Sequence, residues 1–176
     1  IAGAARRRGA EVVLVSGPSY LPAPNGVTLV RVTSADEMHE ACVRHFPQST
    51  IVVMAAAVAD LRPIRSYPKK VKKDALALSI EMERTADILK YMGGMKKDNQ
   101  ILVGFALETD DMEQNAKRKL RDKNLDLVVA NSPAGLDSEF NQATIINRDL
   151  DTEILPPLKK DELADRIIDN AVRLRA

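Results

Sequence analysis

Short, uninterrupted apolar runs alternate with amphipathic stretches along this chain. Residues 11–16 (EVVLVS), 51–54 (IVVM), 101–105 (ILVGF) and 125–130 (LDLVVA) have the pattern of strands buried on both faces of a parallel sheet. Residues 27–32 form a further strand, and residues 76–82 alternate apolar with small or polar positions, as an edge or half-covered strand does. Helical spacing fills the intervals. Residues 1–8 are helix-prone, with Gly9 placed for a left-handed C-terminal residue, and Ser34 with Glu37 is a capping box ahead of Met38, Ala41, Cys42 and Phe46. Thr85 is expected to cap a helix over 86–92 that stops at Gly93-Gly94, with Asp87 toward the positive end of its dipole. Residues 110–123 form a charged helix with Glu113, Lys117 and Arg121 at i, i+4 spacing. A hairpin over 143–146 and 152–155 precedes Pro156-Pro157 and an amphipathic helix over 161–173. Strands alternating with helices predict an α/β fold with a doubly wound, mostly parallel sheet and a C-terminal antiparallel hairpin extending its edge.

Composition narrows the function. The length favours one domain over residues 1–176, with no repeat or linker to divide it. Three Phe, three Tyr and no Trp argue against a base-stacking platform for single-stranded nucleic acid. The 26 basic and 25 acidic residues nearly cancel, so any anion selectivity must be local. The single Cys42 excludes an internal disulfide and fits a reducing compartment. With no signal-peptide pattern and no apolar run near the ~20 residues that span a bilayer, the expectation is a cytoplasmic protein without membrane or nucleic-acid partners.

The most suggestive chemistry follows the run at 51–54. Ala55, Ala56, Ala57, Val58 and Ala59 leave main-chain donors and acceptors uncovered at a strand end, where ligands of open α/β sheets bind. Asp60 and Arg62 come next, then Pro63, Pro68 and the cations Lys69, Lys70, Lys72 and Lys73. An anion-handling site is the natural reading. A lone lysine run is more often a solvated charge cluster, and it is the neighbouring small-residue block that reverses the balance. His39 and Cys42 are too few for zinc, and neither a G-x-S-x-G elbow nor a G-x-G-x-x-G fingerprint occurs.

The blocks AAAVADLRP (55–63), PKKVKK (68–73), VGFALET (103–109) and KLRDKNLDLVVAN (119–131) resemble, in order and spacing, the phosphopantothenoylcysteine synthetase family, and RRRGAEVVLVSGP (6–18) resembles that family's first helix and second strand. The resemblance implies a Rossmann-like fold and a phosphopantothenate–cysteine ligase of coenzyme A biosynthesis. In that family's bacterial form CTP, with Mg2+, activates 4'-phosphopantothenate as an acyl-cytidylate and cysteine displaces CMP. It also implies a homodimer, often fused behind a flavin-dependent phosphopantothenoylcysteine decarboxylase. Carried over by position, Lys70 is the catalytic cation near the triphosphate, and Met54, Ala55, Ala56 and Asp60 are nucleotide contacts at the strand end. Ala86, Asp87, Ile88, Leu89 and Phe105 are further contacts, and Lys119 and Lys123 are cations holding CTP. Asp60 is a candidate ligand to nucleotide-bound Mg2+, an assignment that competes with a sugar or base contact. The family pattern often has Pro where Ala86 stands. The family also begins with a strand, a Gly-rich phosphate loop and an Asn-x-Ser-Ser-Gly-Lys-Met-Gly segment that this sequence lacks, so the chain as given is expected not to complete catalysis unaided. Rival readings are a nicotinamide-dependent reductase on the same sheet and a nonenzymatic RNA- or protein-binding module.

Overall fold

The computed structural model describes residues 1–65, 67, 69–72, 79–107, 111–131 and 138–175. Helix α1 (Ala2–Arg7) leads through Gly9, at φ 83°, to strand β1 (Val13–Ser16), which pairs in parallel with β2 (Thr28–Arg31). Helix α2 (Ala35–His45) follows, and then β3 (Ile51–Met54). A short antiparallel arm, β4 (Leu61–Pro63) with β5 (Met82–Arg84), precedes α3 (Ile88–Met95) and β6 (Ile101–Leu107). Helix α4 (Met112–Asp122), β7 (Leu127–Asn131), β8 (Phe140–Asn141), β9 (Ala143–Asn147), β10 (Thr152–Ile154), β11 (Leu158–Lys159) and α5 (Lys160–Arg173) complete the order.

The main sheet has the order β10-β9-β7-β6-β3. β3, β6 and β7 are parallel, and β9 and β10 add the antiparallel extension. Because strand side chains alternate, the pattern sorts into two cores. Leu102, Ala106, Val128 and Ile146 pack with Met38, Ala41 and Cys42 of α2, Leu89 and Met92 of α3, and Ala116 and Leu120 of α4. On the other face, Val103, Leu127, Val129 and Ile145 pack with Leu163, Ile167 and Ala171 of α5. Helices thus cover both faces, as the doubly wound reading requires. Helix α1 rests on α5 through Ala4, Ala164 and Ile168, rimmed by Arg7 and Arg8 paired with Asp165 at 3.0 and 2.5 Å. The cap at Ser34 is present, its hydroxyl accepting from the Glu37 N–H at 3.2 Å.

Several expectations are corrected. Among the described residues β3 pairs only with β6, so IVVM is half-buried at a sheet edge rather than buried on both faces, and β1–β2 stands as a separate pair. Thr85 does not cap α3. Its hydroxyl donates to the Ala59 carbonyl at 2.6 Å, and Asp87 is the cap, accepting from the Lys90 N–H at 3.0 Å. Nor does Gly93-Gly94 stop the helix, which continues to Met95. Gly93 is there for close packing: a Cβ on it would lie 1.9 Å from the Lys123 carbonyl oxygen, whereas one on Gly94 would meet nothing within 4 Å. Gly93→Ala is therefore expected to destabilise the fold by about 1–3 kcal/mol and Gly94→Ala to stabilise it by up to about 1 kcal/mol, a difference in sign that urea unfolding of the two variants reads directly. Pro68, Lys73, Glu108, Thr109 and residues 76–78 of the expected alternating strand lie outside the described residues.

Candidate functional site

The carboxyl ends of β3 and β6, the start of α3 and the last turn of α4 meet at one corner of the sheet. Met54 pairs with Gly104, and Phe105 follows on β6. A Cβ at Gly104 would lie 2.8 Å from Leu125 and 2.9 Å from Leu89, so this glycine admits two leucine side chains. That packing draws the first turn of α3 onto the sheet. Ile88 and Leu89 are buried in the core, and what their positions offer outward is backbone N–H groups in a helical turn that supplies no acceptor of its own.

Two cations close the corner. Lys119 and Lys123, one helical turn apart, reach toward it: the Lys119 ammonium donates to the Phe105 carbonyl at 2.5 Å, and the Lys123 ammonium lies 2.8 Å from Asp87. Burial alone would push the Asp87 carboxyl up. The hydrogen bonds it accepts from Lys123 and the Lys90 N–H, with the charges of Lys123 and Lys119, outweigh burial and hold it below the usual aspartate range. The Phe105 ring packs toward the α5 side of the sheet, so at the corner this residue contributes its carbonyl.

The remaining expected residues divide. Ala55 and Ala56 are exposed past the end of β3, the bare strand tip read from the sequence. Asp60 is exposed and tied to the corner through its carbonyl, which accepts from the Thr85 N–H at 3.0 Å, two residues before Asp87. Lys70 is exposed beyond β4 and has no hydrogen-bond or ion-pair partner among the described residues. Arg62, grouped with the anion site by sequence, is instead held within its own surroundings by Glu83 at 2.8 Å and by Asp36. Among the described residues no three His, Cys, Asp or Glu side chains gather as a metal site. A lone carboxylate such as Asp60 fits Mg2+ only in the way that ion is usually bound, by one or two carboxylates together with substrate phosphates.

A surface cavity of ≈ 500 Å³ opens beside the corner, lined by Ala86, Asp87, Lys90, Tyr91, Gly94 and Met95. Tyr91 stands edge-on to His39 of α2, with ring centroids 4.8 Å apart. The sequence had given no sign of this wall, because Lys90 and Tyr91 read as ordinary helix positions until Asp87, rather than Thr85, is known to start the helix. No described helix is long and apolar enough to cross a membrane.

Residues 1–174 match the family model described as DNA/pantothenate metabolism flavoprotein C-terminal domain. A cysteine/cysteine sulfinic acid decarboxylase from an unknown prokaryotic organism is 44% identical over 173 residues, covering 96% of this chain and 48% of the relative. The coenzyme A biosynthesis bifunctional protein CoaBC of Bacillus subtilis (strain 168) is 41% identical over 179 residues, covering 99% of this chain and 44% of the relative. The chain thus spans about half the length of these curated relatives. The crystal structure of the C-terminal domain of a coenzyme A biosynthesis bifunctional protein CoaBC superposes with a TM-score of 0.81 at 41% identity, covering 96% of this chain and 76% of that one. With one family model spanning nearly every residue and a solved C-terminal domain sharing the fold, the chain belongs to the DNA/pantothenate metabolism flavoprotein C-terminal domain family.

Proposed function

We propose that this chain carries the nucleotide-handling site of a phosphopantothenate–cysteine ligase in coenzyme A biosynthesis. The observation that carries the reading is the pair of ammonium groups on Lys119 and Lys123 at the strand ends, beside the first turn of α3. In the proposed reaction a carboxylate oxygen of 4'-phosphopantothenate attacks the α-phosphorus of CTP and the bond to pyrophosphate breaks. The cysteine amine then attacks the acyl carbon, loses a proton, and CMP leaves. Negative charge builds on the phosphoryl oxygens and on departing pyrophosphate in the first step, so cations fixed in place beforehand lower its barrier.

Each group has a part in this reading. Lys119 and Lys123 bind the polyphosphate, and the backbone of Met54, Ala55, Ala56, Ala86, Ile88 and Leu89 lies along the nucleoside. Lys70, exposed and without a described partner, is the cation that meets the α-phosphate and the acyl-cytidylate. Magnesium carried on the triphosphate would be held by Asp60 and would neutralise phosphate charge. A homodimer is part of the proposal, and exposed Leu61, Ile64, Ile80 and Met82 on or beside the β4–β5 arm are apolar surface consistent with a partner. So is linkage to a flavin-dependent decarboxylase, supported by the names and lengths of the relatives.

The test is pyrophosphate release and cysteine-dependent turnover with 4'-phosphopantothenate, made with the full-length protein. CTP, ATP and NADPH are compared. The reading expects cysteine-dependent product with a nucleoside triphosphate, CTP preferred. No turnover with either triphosphate, or CO2 release from cysteine or its sulfinate without any nucleotide, would count against it.

A further inference from the structure

We propose that Asp87 is a positioning residue for the nucleotide site: without touching the nucleotide, its carboxylate holds the Lys123 ammonium at the start of α3 and competes with incoming phosphate for it. The inference rests on the nucleotide reading above and gives one of its residues a different task.

Both oxygens of Asp87 are in use. One accepts from the Lys90 N–H at 3.0 Å and caps α3, and the other lies 2.8 Å from the Lys123 ammonium. Helix α3 grips the end of α4 a second time, because Gly93 brings its backbone against the Lys123 carbonyl and the Gly93 carbonyl accepts from the Asn124 side-chain amide at 2.8 Å. The main chain of Lys123 is thus placed by Gly93 and its charged tip by Asp87, two residues of the same helix. Lys119 is held differently, donating to the neutral Phe105 carbonyl. A phosphate therefore takes Lys123 only by drawing it from Asp87.

The consequence is a moderated grip. A highly charged polyphosphate outbids one carboxylate, and a departing product returns the ammonium to its resting partner. Fixed charge a few ångströms from a phosphate changes affinity by about a factor of ten when partly screened. The site then binds tightly enough to orient the nucleotide and loosely enough to release pyrophosphate.

Asp87→Asn separates this role from the alternatives, because asparagine caps a helix as well as aspartate does while removing the charge. Binding of CTP and of inorganic pyrophosphate is measured by titration calorimetry on the wild type, Asp87→Asn, Lys123→Met and the double variant. Asp87→Asn should bind both ligands about three- to tenfold more tightly with its melting temperature kept, and at least half of that gain, on a logarithmic scale, should vanish in the Lys123→Met background. Weaker CTP binding with pyrophosphate unchanged would make Asp87 a direct contact to the sugar or base and overturn the proposal. No change in either ligand, or an equal gain in both backgrounds, would overturn it too. A wild type that takes neither ligand would instead defeat the nucleotide reading itself, and the proposal with it.

Discussion

Lys70→Met should lower the rate of pyrophosphate release by about 10²- to 10³-fold, the range seen when a single preorganised charge-stabilising group is removed from a transition state. Methionine keeps most of the length of the side chain and deletes its charge. Lys70 is exposed and has no hydrogen-bond or ion-pair partner among the described residues, so the variant should melt with the wild type. The expected signature is a fall in kcat that greatly exceeds any rise in KM for the nucleotide, because the interaction strengthens as charge develops. Steady-state pyrophosphate release as a function of nucleotide concentration separates the two. Wild-type kcat in Lys70→Met would remove this lysine from the chemistry while leaving Lys119 and Lys123 as a binding pair.

The largest effect on stability is expected far from that corner, at Asp126. This carboxylate is 2% exposed at the opposite end of the parallel strands. It accepts from the Leu102 N–H at 2.8 Å, pairs with the nearly buried Lys96 ammonium at 2.8 Å and receives Arg148 at 3.3 Å. Asp126→Ala strands the Lys96 charge and an interior N–H together. Breaking a buried pair from one side destabilises by about 3–5 kcal/mol, a large share of the ~5–15 kcal/mol that holds a typical domain folded. A much lower denaturation midpoint in guanidinium, with nucleotide affinity unchanged in the fraction that remains folded, is the expected result. A midpoint within experimental error of the wild type would mean that Lys96 and the Leu102 N–H find other partners.

Much of this architecture was legible because period-2 and period-3.6 patterns carry it. The alternation in ILVGFAL and LVVAN sorts residues onto the α4 and α5 faces one by one, and Leu163, Ile167 and Ala171 sit on the inner side of α5 as their spacing predicts. The boundaries of α3 were not legible, for a physical reason. Thr85 and Asp87 are both good caps, and only the draw of the Ala59 carbonyl on the Thr85 hydroxyl leaves the role to Asp87. Gly93-Gly94 looks like a stop signal because sequence does not reveal that the Lys123 carbonyl occupies the space where a Cβ would be. The edge position of β3 was equally hidden, since an apolar run specifies burial without specifying on which side a neighbouring strand lies.

The candidate site shows the same division. The small-residue tip at Ala55 and Ala56 was read from the residues themselves and the cations Lys119 and Lys123 came from the resemblance, while their convergence on one corner required the fold. The pairing of Lys123 with Asp87, and the engagement of Arg62 by Glu83, depend on side chains 36 and 21 positions apart in the chain and are invisible to local spacing.

The central claim is that ammonium groups at the sheet corner grip the phosphates of a nucleotide. Soaking crystals of the protein in CTP and locating the phosphates by difference density tests it most directly. The account predicts the polyphosphate between the first turn of α3 and the last turn of α4, with the Lys119 and Lys123 ammonium groups each within hydrogen-bonding distance of a phosphate oxygen. A nucleotide seated elsewhere, with Lys123 still on Asp87 and Lys119 still on the Phe105 carbonyl, would contradict it.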